Sequence, residues 1–322
     1  MLRKKHLIAL LLLTPIFLFL AYAVYRFEPF VSNQWNDAKL TAAIKSGQFG
    51  DATFGYLKGP SRKIRYVQLG EDVTKPLLVF VHGSPSSSSF WFNMLRDSTL
   101  RAAANLLAVD RPGYGGSGLG IPMISVKEQA RNVAAIIRER RAGNQPIILH
   151  GSSYGGTVSA RIAMDFPDLI NGLLLQSAST APREEYTYWA THPTSHWSLS
   201  WLLPSSIQTA NSEKLSHQEQ LEDMVGSWAN IRANTVILHG TDDWLIYPPN
   251  AYFSCDQLVN AKEVIHHMVP GKQHDLIFSA PKLLRKYLLK LIKREKLKTD
   301  SARLPALSKG TAPTGVIGFG KQ

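Results

Sequence analysis

His150-Gly151-Ser152-Ser153-Tyr154-Gly155-Gly156 (HGSSYGG) is the stretch on which the fold of this sequence turns. It follows an apolar run, Gln145–Leu149 (QPIIL), and precedes a helical stretch from Thr157 to Phe166. The pattern G-x-S-x-G fits in one register only, with Gly151 and Gly155 on either side of Ser153. Those two positions must be small, because a sharp strand–turn–helix brings backbones together and strains the residue at its apex. Ser153 then projects alone from the turn above a helix N-terminus, and Ser152 points sideways into the structure. A tight turn beside a helix cap would satisfy the same five residues, so the rest of the chain has to decide.

Working outward, the run before this turn is one of several of its kind. KPLLVFVHG (Lys75–Gly83), NLLAVDRPG (Asn105–Gly113), NGLLLQSA (Asn171–Ala178) and NTVILHG (Asn234–Gly240) are continuous apolar runs, the pattern of strands buried on both faces. RKIRYVQL (Arg62–Leu69) and EVIHHMVPG (Glu263–Gly271) add two more strands. Helical stretches at Phe90–Ala104, Ser125–Arg141 and Ala280–Lys298 fall between or after them. Strands alternating with helices predict an α/β fold with a mostly parallel sheet covered on both faces. Loops at the carboxyl ends of such strands form the ligand site, and HGSSYGG is one of them. The rhythm breaks once, between Thr180 and Ile231. That segment, rich in Trp, Tyr and His and with a polar helix expected around Ser216–Trp228, reads as an inserted lid.

The chain has 322 residues, enough for one large α/β domain, and its single Cys255 excludes a disulfide framework and a Cys-rich metal site. Its net charge of +12 lies at the two ends. Residues 1–25 carry three Lys/Arg and no acid, residues 282–322 carry eleven against two, and 26–281 is balanced at 22 of each. A nucleic-acid-binding surface would place its basic residues within the folded body, so none is expected. MLRKKH precedes Leu7–Tyr25, a run without a charge that is long enough to span a bilayer. A transmembrane anchor with a cytoplasmic N-terminus is expected, putting the domain on the exported side. The alternative is a signal peptide cleaved after Ala21-Tyr22-Ala23, which exports the same domain. The expected organisation is an anchor at 1–25, a linker or extension at 26–59, the domain at 60–298 with its lid at about 180–231, and a disordered tail at 299–322.

With these elements in place, residues 60–296 resemble the α/β-hydrolase superfamily. Four signatures carry the resemblance: the G-x-S-x-G turn, His82-Gly83-Ser84-Pro85 after an early strand, LHGTDDWLIYPP around residue 243, and PGKQHDLIF around residue 274. The family order is Ser, then Asp or Glu, then His. It implies Ser153 as nucleophile, Asp243 as the acid three residues after Gly240, and His274 as the base. Asp242 suits an Asx-turn instead. Of the ten histidines, His82, His150 and His239 sit at strand ends before glycine, a structural pattern. Gln273 stands where the family's G-x-G-H loop has glycine. Backbone N–H groups of Ser84 and Tyr154 are implied as the oxyanion hole, and DRPGYGGSG (Asp110–Gly118) as a structural turn. An aspartate nucleophile, as in related epoxide hydrolases and dehalogenases, is absent. No metal ligand set and no cofactor is implied.

The implied activity is cleavage of a carboxylic ester or related acyl bond on a small-molecule acyl substrate. Acyl transfer, small-peptide aminopeptidase action, C–C bond hydrolysis and a silent binding module are the alternatives. Lid residues Tyr186, Tyr188, Trp189, Trp197 and Trp201 either line an apolar acyl pocket or form the lid's own core. KLLRKYLLKLIKREKLK (Lys282–Lys298) is expected to pack Leu283, Leu284, Tyr287, Leu288 and Leu291 on the sheet. Its basic face is solvated or meets an anionic lipid surface.

Overall fold

A computed structural model describes residues 28–307 continuously, with side chains to residue 297, and isolated positions before residue 28. The expected anchor at 1–25 and the end of the expected tail, 308–322, therefore lie outside the described residues, single positions apart. Among the described residues no helix is long and apolar enough to cross a membrane.

Eight strands form one sheet: β1 (Thr53–Lys58), β2 (Lys63–Leu69), β3 (Leu77–Val81), β4 (Asn105–Val109), β5 (Ile147–Ser152), β6 (Gly172–Gln176), β7 (Asn234–Gly240) and β8 (Glu263–Val269). Their spatial order is β1-β2-β4-β3-β5-β6-β7-β8. The pairings β1–β2 and β2–β4 are antiparallel and the rest are parallel. The longer helices are α1 (Asp37–Lys45), α2 (Val126–Arg140), α3 (Tyr154–Asp165), α4 (Ser205–Met224), α5 (Pro249–Gln257) and α6 (Pro281–Leu307). This is the α/β-hydrolase architecture with a helical insertion between β6 and β7.

The continuous apolar runs are explained by alternation across the sheet. Leu77, Val79, Val81, Ile147, Leu149, Leu173 and Leu175 join the core under α2, α3 and α5. Leu78, Phe80, Ile148, Leu174, Val236 and Leu238 join the opposite core with α1 and α6. In α6, Leu284, Leu288 and Leu291 are buried as expected, with Leu283 and Tyr287 packed beside them.

Four elements depart from expectation. The residues anticipated as a linker are part of the domain: β1 pairs with β2 along its length, and Leu40 and Phe49 are buried. The helix expected at Phe90–Ala104 is three short pieces, Ser88–Trp91, Phe92–Leu95 and Ser98–Ala103, the last begun by Asp97 accepting from the Thr99 and Leu100 N–H groups. The lid helix starts at Ser205, well before Ser216, and α6 runs on to Leu307 into the expected tail.

The structural histidines take the roles their positions suggested. His82 Nε2 accepts from the Arg111 N–H at 2.9 Å, and His150 Nε2 meets Gln176 Oε1 at 3.0 Å. His150 also packs on Trp91, ring centroids 4.6 Å apart. Burial pushes its pKa down to about 3, whereas a histidine in the unfolded chain titrates near 6.5. Its contribution to stability is thus complete above pH 6.5 and is lost as pH falls toward 3, with a slope of about 1.4 kcal/mol per pH unit. Burial lowers His82, His217 and His239 in the same direction. The urea midpoint should therefore fall from pH 7 to pH 4, and His150→Gln should flatten that fall by about one proton. Titrations at several pH values measure it; an unchanged slope would remove His150 as a cause.

Candidate active site

The turn after β5 places one serine as the sequence suggested. Ser152 is buried within β5, whereas Ser153 is half-buried at the start of α3 with φ 55° and ψ −127°. A non-glycine residue held there costs roughly 1–3 kcal/mol, and such strain collects where a side chain must be presented. The turn closes only because its flanks lack side chains: a Cβ on Gly151 would strike the Gly155 carbonyl, and one on Gly155 would strike the Val81 and His82 carbonyls. Above it, a Cβ on Gly83 would lie 2.9 Å from Ser153 Cβ. The backbone leading into Ser84 therefore passes close over Ser153, and the Tyr154 N–H heads α3 beside it. These are the two groups expected as oxyanion donors.

The loops after β7 and β8 bring the remaining pair together. Asp243 is buried, and its Oδ1 accepts from the Leu245 and Ile246 N–H groups at 3.0 and 2.9 Å. Its Oδ2 lies 2.8 Å from His274 Nδ1. Two backbone donors fix the carboxylate plane, and the carboxylate fixes the ring. Asp242 accepts from the Thr241 hydroxyl next to it and remains exposed. The loops are tied to each other, with the Asp242 N–H donating to Lys272 O at 2.9 Å and the Gly271 N–H to Thr241 Oγ1 at 2.9 Å. Gln273 is accommodated with its carbonyl against Gly240. Ser153 Oγ and His274 are not hydrogen-bonded; catalytic hydrogen bonds often tighten only as substrate binds.

A second cluster beneath the Ser84 turn was not anticipated. Glu213, from the lid helix α4, is fully buried. Its carboxylate takes Arg111 Nη1 at 2.6 Å, Tyr114 OH at 2.7 Å, Gln129 Nε2 at 2.9 Å, and the Ser84 hydroxyl. Arg111 Nη2 also donates to Ser84 Oγ at 2.8 Å, and its Nε to His82 O at 2.7 Å. Burial opposes the Arg111 charge, yet Glu213 and the neighbouring tyrosines more than offset it and raise its pKa. DRPGYGGSG thus holds the lid and the Ser84 turn together through Arg111 and Tyr114. Next to it Tyr154 stacks on His217, centroids 4.6 Å apart, and burial holds the Tyr154 phenol well above its ordinary pKa.

The feet of the lid are fixed and its crown is exposed. Glu185 bridges Ile246, with the Tyr186 N–H on Leu245 O at 2.8 Å and the Tyr247 N–H on Glu184 O at 3.1 Å. Asn250 Oδ1 accepts from the Thr180 and Ala181 N–H groups. Trp189, Trp197 and Trp201, expected in a pocket or a lid core, are instead 83%, 80% and 72% exposed. The first part of the lid helix buries Ser206, Thr209, Glu213 and His217, all polar, and apolar burial begins only with Leu221 and Met224 at its end.

Comparison with known proteins agrees with this fold. The model of a family described as "Alpha/beta hydrolase family" matches residues 78–286. The chain is 34% identical over 117 residues to a pimeloyl-[acyl-carrier protein] methyl ester esterase of Proteus mirabilis, covering 36% of this chain and 41% of that one. It is 29% identical to a probable 1-acylglycerol-3-phosphate O-acyltransferase of Oryza sativa, covering 50% of this chain and 43% of that one. The chain thus spans less than half the length of these curated relatives. The crystal structure of a membrane phospholipase A superposes with a TM-score of 0.59 at 19% identity, covering 90% of this chain and 98% of that one, a likeness of fold.

Removing one partner of a buried ion pair leaves the other uncompensated, at a cost of about 3–5 kcal/mol. Glu213→Ala should therefore lower stability by that amount in urea titration, while Glu222→Ala, at the exposed Arg183 pair on the same helix, should change it by less than about 1 kcal/mol. Equal effects would mean that Glu213 does not anchor the lid.

Proposed function

The chain belongs to the alpha/beta hydrolase family, and on that premise we propose that it is a serine hydrolase cleaving a carboxylic ester through an acyl-enzyme. Ser153 Oγ attacks the ester carbonyl carbon. With Nδ1 donating to Asp243, His274 has Nε2 free to take the serine proton, and the carboxylate stabilises the imidazolium that forms. The oxyanion is held by the N–H groups of Ser84 and Tyr154. Collapse expels the alcohol, which leaves with the proton from His274. Water, deprotonated by the same histidine, then releases the acid and regenerates Ser153.

The observation that carries this proposal is the oriented His274–Asp243 pair, at 2.8 Å, on loops at the same sheet edge as the strained Ser153. A preference for uncharged, mainly apolar acyl groups is supported by the balanced charge of residues 26–281, which carry 22 basic and 22 acidic residues. The run Leu7–Tyr25 supports a location on the exported side of a membrane, either anchored or released by cleavage near Ala23. Acyl transfer is the second reading, favoured by the likeness to 1-acylglycerol-3-phosphate O-acyltransferases. It differs only in whether an alcohol or water resolves the acyl-enzyme.

The test is fluorophosphonate labelling of the detergent-solubilised chain beside a ladder of p-nitrophenyl esters from short to long acyl chains. Labelling and turnover should vanish in Ser153→Ala and persist in Ser152→Ala. Asp243→Asn should lose roughly 10⁴-fold in kcat. Added glycerol that diverts most product into ester would select transfer over hydrolysis. Labelling lost through Ser152→Ala alone would overturn the assignment.

A further inference from the structure

The crown of the lid is a surface for which the proposed chemistry gives no use. Trp189, Trp197 and Trp201 stand almost free, and Leu199, Leu202 and Tyr188 are exposed beside them. A soluble protein rarely displays so many large apolar side chains together unless something covers them. The absence of any formal charge from Tyr186 to Ser212 sets this surface apart from an ordinary solvated helix pair. Tryptophan and tyrosine among uncharged polar residues is the composition that settles at the level of lipid headgroups.

The position of the crown matters as much as its composition. The uncharged run Leu7–Tyr25 joins the described chain at residues 28–32, which are helical. The Phe30 carbonyl accepts the Ser206 hydroxyl at 3.2 Å, at the start of the lid helix. The Asn33 carbonyl accepts from Ser87 and Ser89 at 2.5 and 2.7 Å, in the loop that follows the Ser84 turn. The first continuously described residues thus lie against the lid, on the carboxyl edge of the sheet, and the apolar run precedes them in the sequence. The basic end of α6 lies at the other edge: Arg294 pairs with Glu263 at the start of β8, and Glu295 with Asn234 at the start of β7. Docking through the basic helix would turn the lid and Ser153 away from the bilayer.

We infer that the crown of the lid, centred on Trp189, Trp197 and Trp201, is seated in the interface of a lipid bilayer, so that the active site faces the membrane and draws an amphiphilic ester from it. The source of the substrate rests on the hydrolase proposal; the seating does not. Because the crown carries no cation, an uncharged bilayer suffices as its partner.

The experiment uses the full chain reconstituted in phosphatidylcholine vesicles whose acyl chains are brominated, with intrinsic tryptophan emission as the readout. Trp91 and Trp228 are fully buried and supply the unquenched background, and Trp35 and the half-exposed Trp244 contribute equally in wild type and variant. The wild type should be quenched, and the quenched fraction should fall by more than half when Trp189, Trp197 and Trp201 are all replaced by Phe. In a second arm, Trp189→Ser, Trp197→Ser and Trp201→Ser together should slow hydrolysis of a long-chain ester embedded in the bilayer by roughly tenfold or more. Hydrolysis of p-nitrophenyl acetate in water should stay within about twofold. An unquenched lid overturns the seating, as does quenching that needs anionic lipid, which would point to α6. Self-association abolished by the Ser replacements, without quenching, also overturns it in favour of a second copy. Loss of turnover on both esters in the wild type would sink the hydrolase proposal and leave the quenching result standing on its own.

Discussion

The left-handed backbone at Ser153 is the constraint around which the structure is arranged. An L-residue at φ 55° is held there only if its surroundings leave no relaxed alternative. They do so from three sides: Gly151 and Gly155 let β5 and α3 touch, Gly83 lets the neighbouring loop pass overhead, and parallel pairing of β3 with β5 fixes both strand ends at the same height. The apolar strands and their two cores serve, in this sense, as a frame that holds one side chain off the surface of the sheet.

A buried carboxylate extends that frame into the lid. Glu213 crosses from α4 to Arg111, Tyr114, Gln129 and Ser84, joining three segments distant in sequence. Two charges removed from water are tolerable only when their hydrogen bonds are satisfied, and here they are. The price is specificity of fit: the lid helix has one docked position, and the Ser84 turn inherits it.

What was legible in the sequence was whatever apolar periodicity or turn chemistry dictates. Seven strands, the position of Ser153 rather than Ser152 at the apex of the turn, and the strand-end places of His82, His150 and His239 follow from runs such as VILHG and from glycine placement. The lid helix was placed too late because the buried residues of its first part, Ser206, Thr209, Glu213 and His217, are polar, and a hydrophobic signal appears only at Leu221 and Met224. β1 was missed because it is an edge strand, mostly half-exposed and without clean alternation. Glu213 as the anchor of the lid could not be read at all, since nothing local tells a buried glutamate from a solvated one. The aromatic crown was read by composition as interior, whereas the structure leaves it outside.

The antiparallel bridge between the first foot of the lid and the loop that carries Asp243 has a kinetic consequence. With Glu184–Tyr186 hydrogen-bonded to Leu245–Tyr247 and α4 pinned by Glu213, the stretch between Tyr186 and Ser205 is held at both ends and touches α4 between them through Asn211 Nδ2 donating to Thr194 Oγ1 at 3.0 Å. A surface segment of that size rearranges within nanoseconds to microseconds. Enzyme turnover is commonly 1–10³ per second. Local rearrangement of this stretch therefore sets no ceiling on turnover of that order, whatever bond the site cleaves.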